Sequence, residues 1–369
     1  MEHLSFSANK TRGNLRVGTR RGFPALFVSR RMRRQAILIT VLLLLTGCRA
    51  SAQTTKPLDE NERFKLAAAY STGQNGLSVL VMKGDKVVFE DYENGNSADT
   101  PSPLYSGTKS FSGVMCAAAI DDKLISGFDE KVADTITEWK SDPRKSQITI
   151  RQLLSLQSGI EAGQIGVVPT YAEAIQKPTK YDPGTHFEYG PVPYQTFGEL
   201  MTRKLKAKNE TVMAYLHRRI LDPVGIKVGF WTGGNTGEPL LPQGAFLTAR
   251  EWVKFGLFLK NGGKWNGKQL IPKKLLDELT HSSKANPAYG MTFWLNQKGG
   301  VGPTGQAAGG NFGNIAEKGV ADGIPDMYMA AGALNQRLYI IPSLDMVIVR
   351  QGRFARWDDR EFLTELLGK

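Results

Sequence analysis

Cysteine and histidine are scarce in this chain, and their scarcity limits the chemistry open to it. The 369 residues include two cysteines, Cys48 and Cys116, and four histidines. No two histidines have the short spacing of a metal-ligand pair, so we expect no metal site and no cofactor. Because we expect Cys48 to be lipidated, as argued below, only Cys116 remains in the mature body, and no disulfide framework is possible within one mature chain. Cys116 falls in an apolar stretch, where we expect a buried, reduced thiol that acts as a small hydrophobic side chain.

The chain also lacks a hydrophobic run long enough for a comfortable membrane span. The apolar run at residues 36–45 is about half the roughly 20 residues that a spanning helix needs. It follows a cluster of arginines at residues 30–34, as the core of a signal peptide does. Met32 would open a signal peptide of normal length, so we interpret residues 1–31 as an over-extended reading frame.

The apolar run ends in Leu45-Thr46-Gly47-Cys48, which resembles a bacterial lipobox. In a lipobox the cysteine is acylated and becomes the mature N-terminus. We therefore predict a leader and lipoprotein signal at residues 1–48, lipidation of Cys48 and a tether at residues 49–60. The protein would be anchored in the bacterial cell envelope and face the periplasm or the exterior. A plain secretory signal or an uncleaved anchor is the alternative.

Most of the chain also lacks an excess of positive charge, although its net charge is +12. Residues 1–49 hold ten of the 47 Lys and Arg and only one of the 35 acidic residues. The remainder is therefore nearly neutral and has no basic stripe. For this reason we expect no nucleic-acid partner.

The tetrad Ser106-Gly107-Thr108-Lys109 places a hydroxyl and an amine three residues apart. On a helix, residues i and i+3 share a face, so Lys109 can reach the Ser106 hydroxyl. A dry site disfavours the charged form of a lysine, and the neutral amine can then activate a serine nucleophile. The apolar residues 111–120 predict a buried helix after the tetrad. The tetrad alone is insufficient, because it recurs at residues 7–10 with no apolar helix behind it.

The order of the predicted elements indicates an α+β fold. A hairpin is predicted at residues 77–92, near the start of the body, and two further strands at residues 337–351, near its end. Predicted helices fill most of the interval, above all residues 140–280. We therefore predict one domain at residues 61–369. Its antiparallel sheet is built from both chain ends and flanked by helices, with an inserted, mostly helical region.

Five stretches of the body resemble the β-lactamase-related serine hydrolases. This family includes class C β-lactamases, penicillin-binding carboxypeptidases, family VIII esterases and nylon-oligomer hydrolases. The stretches are residues 104–111, 148–160, 183–189, 244–251 with 261–268, and 289–294 with 332–342. Each match has low specificity by itself, but all five occur in the same order as in the family. The resemblance implies a β-lactamase/transpeptidase-like fold and hydrolysis through an acyl-enzyme.

The resemblance also implies a role for each matching residue. Ser106 would be the acylated nucleophile and Lys109 its base. Tyr189 would share protons with Lys109 and protonate the leaving group. The backbone N–H groups of Ser106 and Ala333 would form the oxyanion hole, where donors aimed at developing charge stabilise the transition state.

Two motifs depart from the family pattern. The usual Tyr-x-Asn is Tyr189-Gly190-Pro191 here, which lacks the amide that contacts substrate. The usual Lys-Thr-Gly or His-x-Gly is Ala330-Ala331-Gly332, which would line the substrate side of the pocket without a cation. Esterases and amide hydrolases tolerate these losses better, so we expect a small ester or amide substrate. A β-lactamase or D-Ala-D-Ala carboxypeptidase is one alternative, and a non-catalytic envelope binding protein is another.

Overall fold

The computed structural model describes residues 58–302 and 318–368, which belong to one compact unit. The leader, Cys48 and most of the predicted tether lie outside the described residues, so lipidation stays a prediction. None of the described helices is long and apolar enough to cross a membrane.

Helices and strands follow one another along the chain in an irregular order. The described α-helices are α1 (Glu60–Gly73), α2 (Lys109–Asp121), α3 (Ile150–Leu154), α4 (Tyr171–Gln176), α5 (Val192–Leu205), α6 (Val212–Leu216), α7 (Asp222–Val224), α8 (Ala249–Lys260), α9 (Lys273–Asp277) and α10 (Asp359–Leu367). The described strands are β1 (Gly76–Lys83), β2 (Lys86–Tyr92), β3 (Ser102–Pro103), β4 (Phe230–Trp231), β5 (Ala245–Leu247), β6 (Lys264–Trp265), β7 (Lys268–Gln269), β8 (Trp294–Leu295), β9 (Tyr328–Gly332), β10 (Gln336–Ile341) and β11 (Met346–Gly352).

The main sheet joins the two ends of the domain. Its six strands lie in the order β2-β1-β11-β10-β9-β8, and all the neighbouring pairs are antiparallel. Strand β1 pairs with β11, with Lys83 opposite Met346 and Ser78 opposite Gln351. The two predicted strand sets therefore share one sheet, which confirms the α+β, β-lactamase/transpeptidase-like fold. Strands β8 and β9 were not predicted.

The burial of the strands follows their sequences. The interior strands β10 and β11 are buried along their whole length, as expected for strands covered on both faces and rich in Val, Ile and Leu. Strand β2 lies at the edge of the sheet and is mostly exposed. Gly84 has a φ of 60°, which allows the tight turn between β1 and β2.

Helix α2 is enclosed in the core, as predicted, with residues 109–119 all buried. The helical spacing assumed for Ser106 and Lys109 needs one correction, because Ser106 lies in the 3₁₀ turn Tyr105–Thr108, immediately before the helix. Because side chains at i and i+3 eclipse in a 3₁₀ turn, Lys109 still lies beside Ser106.

Helices are the main regular structure at residues 140–280, and the interval also holds β4 and β5 of one small sheet and both strands, β6 and β7, of another. In the first of these sheets, β5 lies between β3 and β4. Strand β3 precedes Ser106 by only a few residues, and Pro103 pairs with Phe246. This small sheet therefore fixes the segment before the nucleophile against a segment about 140 residues later.

Candidate active site

The 3₁₀ turn that carries Ser106 is held by backbone contacts on both sides. Leu104 N–H donates to the Ala245 carbonyl at 2.9 Å, and Ala245 N–H donates to Thr108 Oγ1 at 3.2 Å. Tyr105 has a φ of 47°, in the left-handed region that non-glycine residues rarely adopt. Such strain persists only where the surroundings enforce it, and it is concentrated at functional sites.

Lys109 reaches Ser106 as the tetrad predicts. Its Nζ lies 2.9 Å from Ser106 Oγ and donates to the Pro242 carbonyl at 2.9 Å. The side chain is buried, and burial lowers the pKa of Lys109 from 10.5 to about 7. A neutral amine can donate to Pro242 and still use its lone pair to accept the Ser106 proton.

Tyr189 completes a cluster with these two residues. The centre of its ring lies 5.0 Å from Lys109 Nζ, and the polar groups of Ser106 and Trp294 lie close enough to its hydroxyl to act on its pKa. Burial raises the pKa of Tyr189 to about 12, against the opposing effect of the Ser106 and Trp294 side chains and of the Arg337 charge. The structure thus brings the three predicted catalytic residues together, and Tyr189 keeps its proton near neutral pH.

Aromatic side chains surround Tyr189 and Lys109. Trp294 stacks on Tyr189 with ring centres 5.7 Å apart, and Tyr289 meets Tyr189 edge-on at 6.1 Å. The Tyr194 ring centre lies 5.4 Å from Lys109 Nζ, and its hydroxyl hydrogen-bonds that of Tyr289 at 2.8 Å. The Tyr189 and Tyr194 rings shield Lys109 Nζ from water, and this desolvation lowers its pKa.

The end of strand β9 lies against the nucleophile turn. A Cβ at Gly332 would stand 2.0 Å from the Leu104 carbonyl oxygen and 3.1 Å from Gly107 N. Only glycine allows this approach, and it brings the Gly332–Ala333 peptide beside the Ser106 turn. Ala331, predicted on the substrate side, is 3% exposed. The oxyanion-hole and substrate-side roles of these residues stay predictions.

The residues at the two motifs that depart from the family pattern pack against neighbouring parts of the fold. Pro191 stands at the N-cap of α5, and Gly190 fits against Ala162, whose carbonyl oxygen would lie 2.2 Å from a Cβ at position 190. Ala330 is buried.

Arg350 lies near the last strand, but it does not replace the missing cation of the third motif. It is fully buried and donates to the carbonyls of Gln74 and Asn335. Its guanidinium therefore cannot meet a substrate.

Three contributors to the site were not predicted from the sequence. The Pro242 carbonyl is a backbone group and leaves no sequence signal. Trp294 stands in a stretch that the resemblance covers, but its contact with Tyr189 requires the folded chain. Arg337 could have been noticed, because an arginine inside an apolar strand must have buried partners. Among the described residues, no group of three or more His, Cys, Asp and Glu could hold a metal ion.

Comparisons with known proteins agree on one family. A family model described as Beta-lactamase matches residues 40–350. A Bacillus anthracis protein named as a 6-aminohexanoate-dimer hydrolase is 17% identical with a TM-score of 0.64, over 81% of this chain and 80% of that chain.

Two further solved structures are similar at the level of the fold. A Bacteroides dorei protein named as a β-lactamase is 16% identical with a TM-score of 0.65, over 84% of this chain and 99% of that chain. A family VIII carboxylesterase is 16% identical with a TM-score of 0.62, over 84% and 96%. At these identities the likeness shows the shared fold. No curated protein sequence matches the chain.

Proposed function

This chain belongs to the beta-lactamase family of serine hydrolases, and on that premise we propose that it cleaves an ester or amide bond through an acyl-enzyme at Ser106. The observation that carries the proposal is the 2.9 Å separation of Lys109 Nζ and Ser106 Oγ. Together with a pKa of about 7 for Lys109, it provides a serine hydroxyl with a neutral amine in reach of its proton.

In the proposed acylation, the lowered pKa of Lys109 lets it act as the base and the raised pKa of Tyr189 lets it act as the acid. Lys109 takes the Ser106 proton as Oγ attacks the substrate carbonyl carbon, and the N–H groups of Ser106 and Ala333 receive the negative charge on the carbonyl oxygen. Tyr189 protonates the leaving group as its bond to carbon breaks, and the proton on Lys109 replaces the one that Tyr189 gave. Water then attacks the acyl-enzyme by the reverse proton transfers and releases Ser106.

An uncharged ester or amide suits this pocket better than a penicillin or a D-Ala-D-Ala peptide. The latter two carry a carboxylate near the scissile carbonyl, and burying a carboxylate without partners is costly. Ala330 and Ala331 offer neither a cation nor a hydroxyl, and Pro191 offers no side-chain donor. The names of two similar structures, a carboxylesterase and a 6-aminohexanoate-dimer hydrolase, are consistent with cleavage of an ester or an amide bond.

The proposed location is the bacterial cell envelope, with a lipid on Cys48 as the membrane anchor. Its support is the sequence Leu45-Thr46-Gly47-Cys48 behind a basic cluster and a short apolar run. Replacing Cys48 by alanine is expected to block processing or to release the protein from membranes. Unchanged size and membrane retention of the Cys48→Ala protein would count against the lipid anchor.

The proposed reaction is tested with a fluorophosphonate probe, followed by mass spectrometry of the labelled peptide. The expected result is one adduct on Ser106 that is lost in Ser106→Ala. A fluorescent penicillin used in parallel tests the β-lactamase or carboxypeptidase alternative, which stable labelling or turnover of the penicillin would favour. Folded protein that reacts with neither probe would favour the non-catalytic binding protein.

A further inference from the structure

Two arginines lie side by side inside the main sheet. Arg337 on β10 pairs in register with Arg350 on β11, and both are 0% exposed. A buried guanidinium is costly unless each of its donors finds an acceptor. The two side chains have different hydrogen-bond partners. Those of Arg350 indicate a structural role, and those of Arg337 indicate a role at the active site.

Arg350 contacts the turn that follows Ala333 but, unlike Arg337, does not bind the Gly332 carbonyl. It donates to the carbonyls of Gln74 at 2.8 Å and Asn335 at 2.9 Å, and to Ser71 Oγ at 3.2 Å. Its guanidinium also lies 4.2 Å from the centre of the Trp357 ring. These contacts join the end of α1, the turn at residues 334–335 and the segment before α10 to the last strand, which is a structural role.

Arg337 instead connects the C-terminal helix to the nucleophile turn. Its Nε and Nη2 bind the two oxygens of Asp359 at 2.6 and 3.0 Å, and Nη1 donates to the carbonyls of Gly332 at 3.1 Å and Gln336 at 3.0 Å. Asp359 begins α10 and is held in turn by the Tyr339 hydroxyl at 2.5 Å. The carboxylate thus fixes the guanidinium, and the guanidinium fixes the carbonyl that precedes Ala333.

We propose that Arg337 is a positioning residue, which orients the Gly332–Ala333 peptide so that the Ala333 N–H faces the substrate oxyanion. The inference rests on the proposed acyl-enzyme function. In a trans peptide the C=O and the following N–H point in opposite directions. A donor that holds the Gly332 carbonyl therefore holds the Ala333 N–H away from Arg337.

The backbone around the Gly332–Ala333 peptide does not fix its orientation by regular strand pairing alone. The β9–β10 ladder ends at the pair Gly332–Gln336, and the turn beyond it has left-handed φ values at Leu334 (56°) and Asn335 (66°). Gly332 itself is conformationally permissive. A charged donor on the carbonyl also polarises the peptide and so strengthens its N–H as a donor. Arg337 thus supplies a charge to the site without exposing a cation to the substrate.

The test compares Arg337→Met with Arg350→Met, which remove neighbouring buried guanidinium groups from facing strands. The substrate is a p-nitrophenyl ester, with rates divided by the fraction of protein that a fluorophosphonate titrates. We expect Arg337→Met to lower kcat by about 10- to 100-fold with KM within about twofold, somewhat less than the roughly 10²- to 10³-fold loss on removing an oxyanion donor. The affinity for a boronic acid, whose oxygen occupies the oxyanion position, should fall by a similar factor. Arg350→Met should keep kcat within about twofold.

Equal losses of kcat in both variants, or a loss confined to KM, would overturn the inference. If the methionine variants do not fold, Arg337→Lys and Arg350→Lys carry the same comparison. Lysine keeps the charge beside Asp359, but its single ammonium does not reproduce the planar fork that spans Asp359 and the Gly332 carbonyl. We then expect kcat to fall at least fivefold in Arg337→Lys only. Failure of the proposed function is distinguishable, because the wild-type protein would then leave Ser106 unlabelled.

Discussion

Nζ of Lys109 lies 5.0 Å from the ring centre of Tyr189, and burial moves the pKa values of the two groups in opposite directions. The pKa of Lys109 falls to about 7, and that of Tyr189 rises to about 12. Between these values both groups are neutral, so the site holds an unprotonated amine beside a protonated phenol. Such a separation of pKa values assigns the base and the acid in many enzymes.

The pH dependence of hydrolysis should follow Lys109. We expect kcat/KM for a neutral ester to rise with pH through an apparent pKa of about 7 and to stay level above it, because Tyr189 loses its proton only near pH 12. The profile is measured from pH 5 to 9.5, with the rate of Ser106→Ala subtracted at each pH. An acidic limb near pH 4 would point to a carboxylate base in place of Lys109.

Protein stability should report the same burial of Lys109. Below pH 7 the folded protein bears the full cost of a buried ammonium. Between pH 7 and 10.5 the unfolded chain binds more protons than the folded one, so stability rises with pH. Lys109→Met removes this cost, on the order of a few kcal/mol. Its gain in the free energy of unfolding should be largest near pH 6 and shrink towards pH 10.5, and a gain that does not vary with pH would contradict the depressed pKa.

Tyr189→Phe should slow hydrolysis while leaving the fold intact. The substitution keeps the ring between Trp294 and Tyr289 and removes only the proton that the leaving group receives. We expect kcat/KM to fall by about 10²- to 10⁴-fold, the usual size of general acid–base catalysis. The fall should be smaller for p-nitrophenyl esters than for alkyl esters, since p-nitrophenolate leaves without a proton. An equal effect on both classes of ester would argue against Tyr189 as the acid.

Selectivity should favour uncharged substrates. Charge-assisted hydrogen bonds to a carboxylate contribute roughly 1.5–3 kcal/mol each. Losing two of them would weaken carboxylated substrates by about 10²- to 10⁴-fold, at roughly 1.4 kcal/mol per factor of ten. Short acyl esters should therefore be turned over and penicillins hardly or not at all. A kcat/KM for a penicillin equal to that for the ester would contradict this, and Arg353, exposed just beyond β11, would then be the residue to replace.

Gly332→Ala tests the contact between β9 and the nucleophile turn. Its Cβ would stand 2.0 Å from the Leu104 carbonyl oxygen, so the strand and the turn must separate. We expect a loss of about 1–3 kcal/mol in the free energy of unfolding, as for other overpacked sites, and a loss of kcat/KM per folded molecule of at least tenfold. Gly127→Ala is the control, since a Cβ there meets nothing within 4 Å. Full activity of Gly332→Ala would show that the close approach is not needed.

Local sequence patterns were sufficient to predict the elements whose conformation depends on neighbouring residues. The hairpin at residues 77–92, the last two strands and the enclosed helix after Ser106 follow from apolar periodicity and turn residues. The three-residue spacing of Ser106 and Lys109 is equally local. Strand β9, in contrast, could not be predicted from a local pattern. Its residues Met329, Ala330, Ala331 and Gly332 show no alternation and include poor strand formers, so its place between β8 and β10 depends on tertiary pairing.

The sequence by itself determined which groups are available: a serine with a lysine three residues later, a tyrosine in a recognisable segment, and no cation in the third motif. The tertiary structure decided their chemistry. Lys109 becomes a base because the fold buries it beside Tyr189 and Tyr194, which are distant along the chain. Arg337 reaches the Gly332 carbonyl only because β9 and β10 pair in one register. The physical reason is that pKa values and peptide orientation depend on distances between segments that no local pattern encodes.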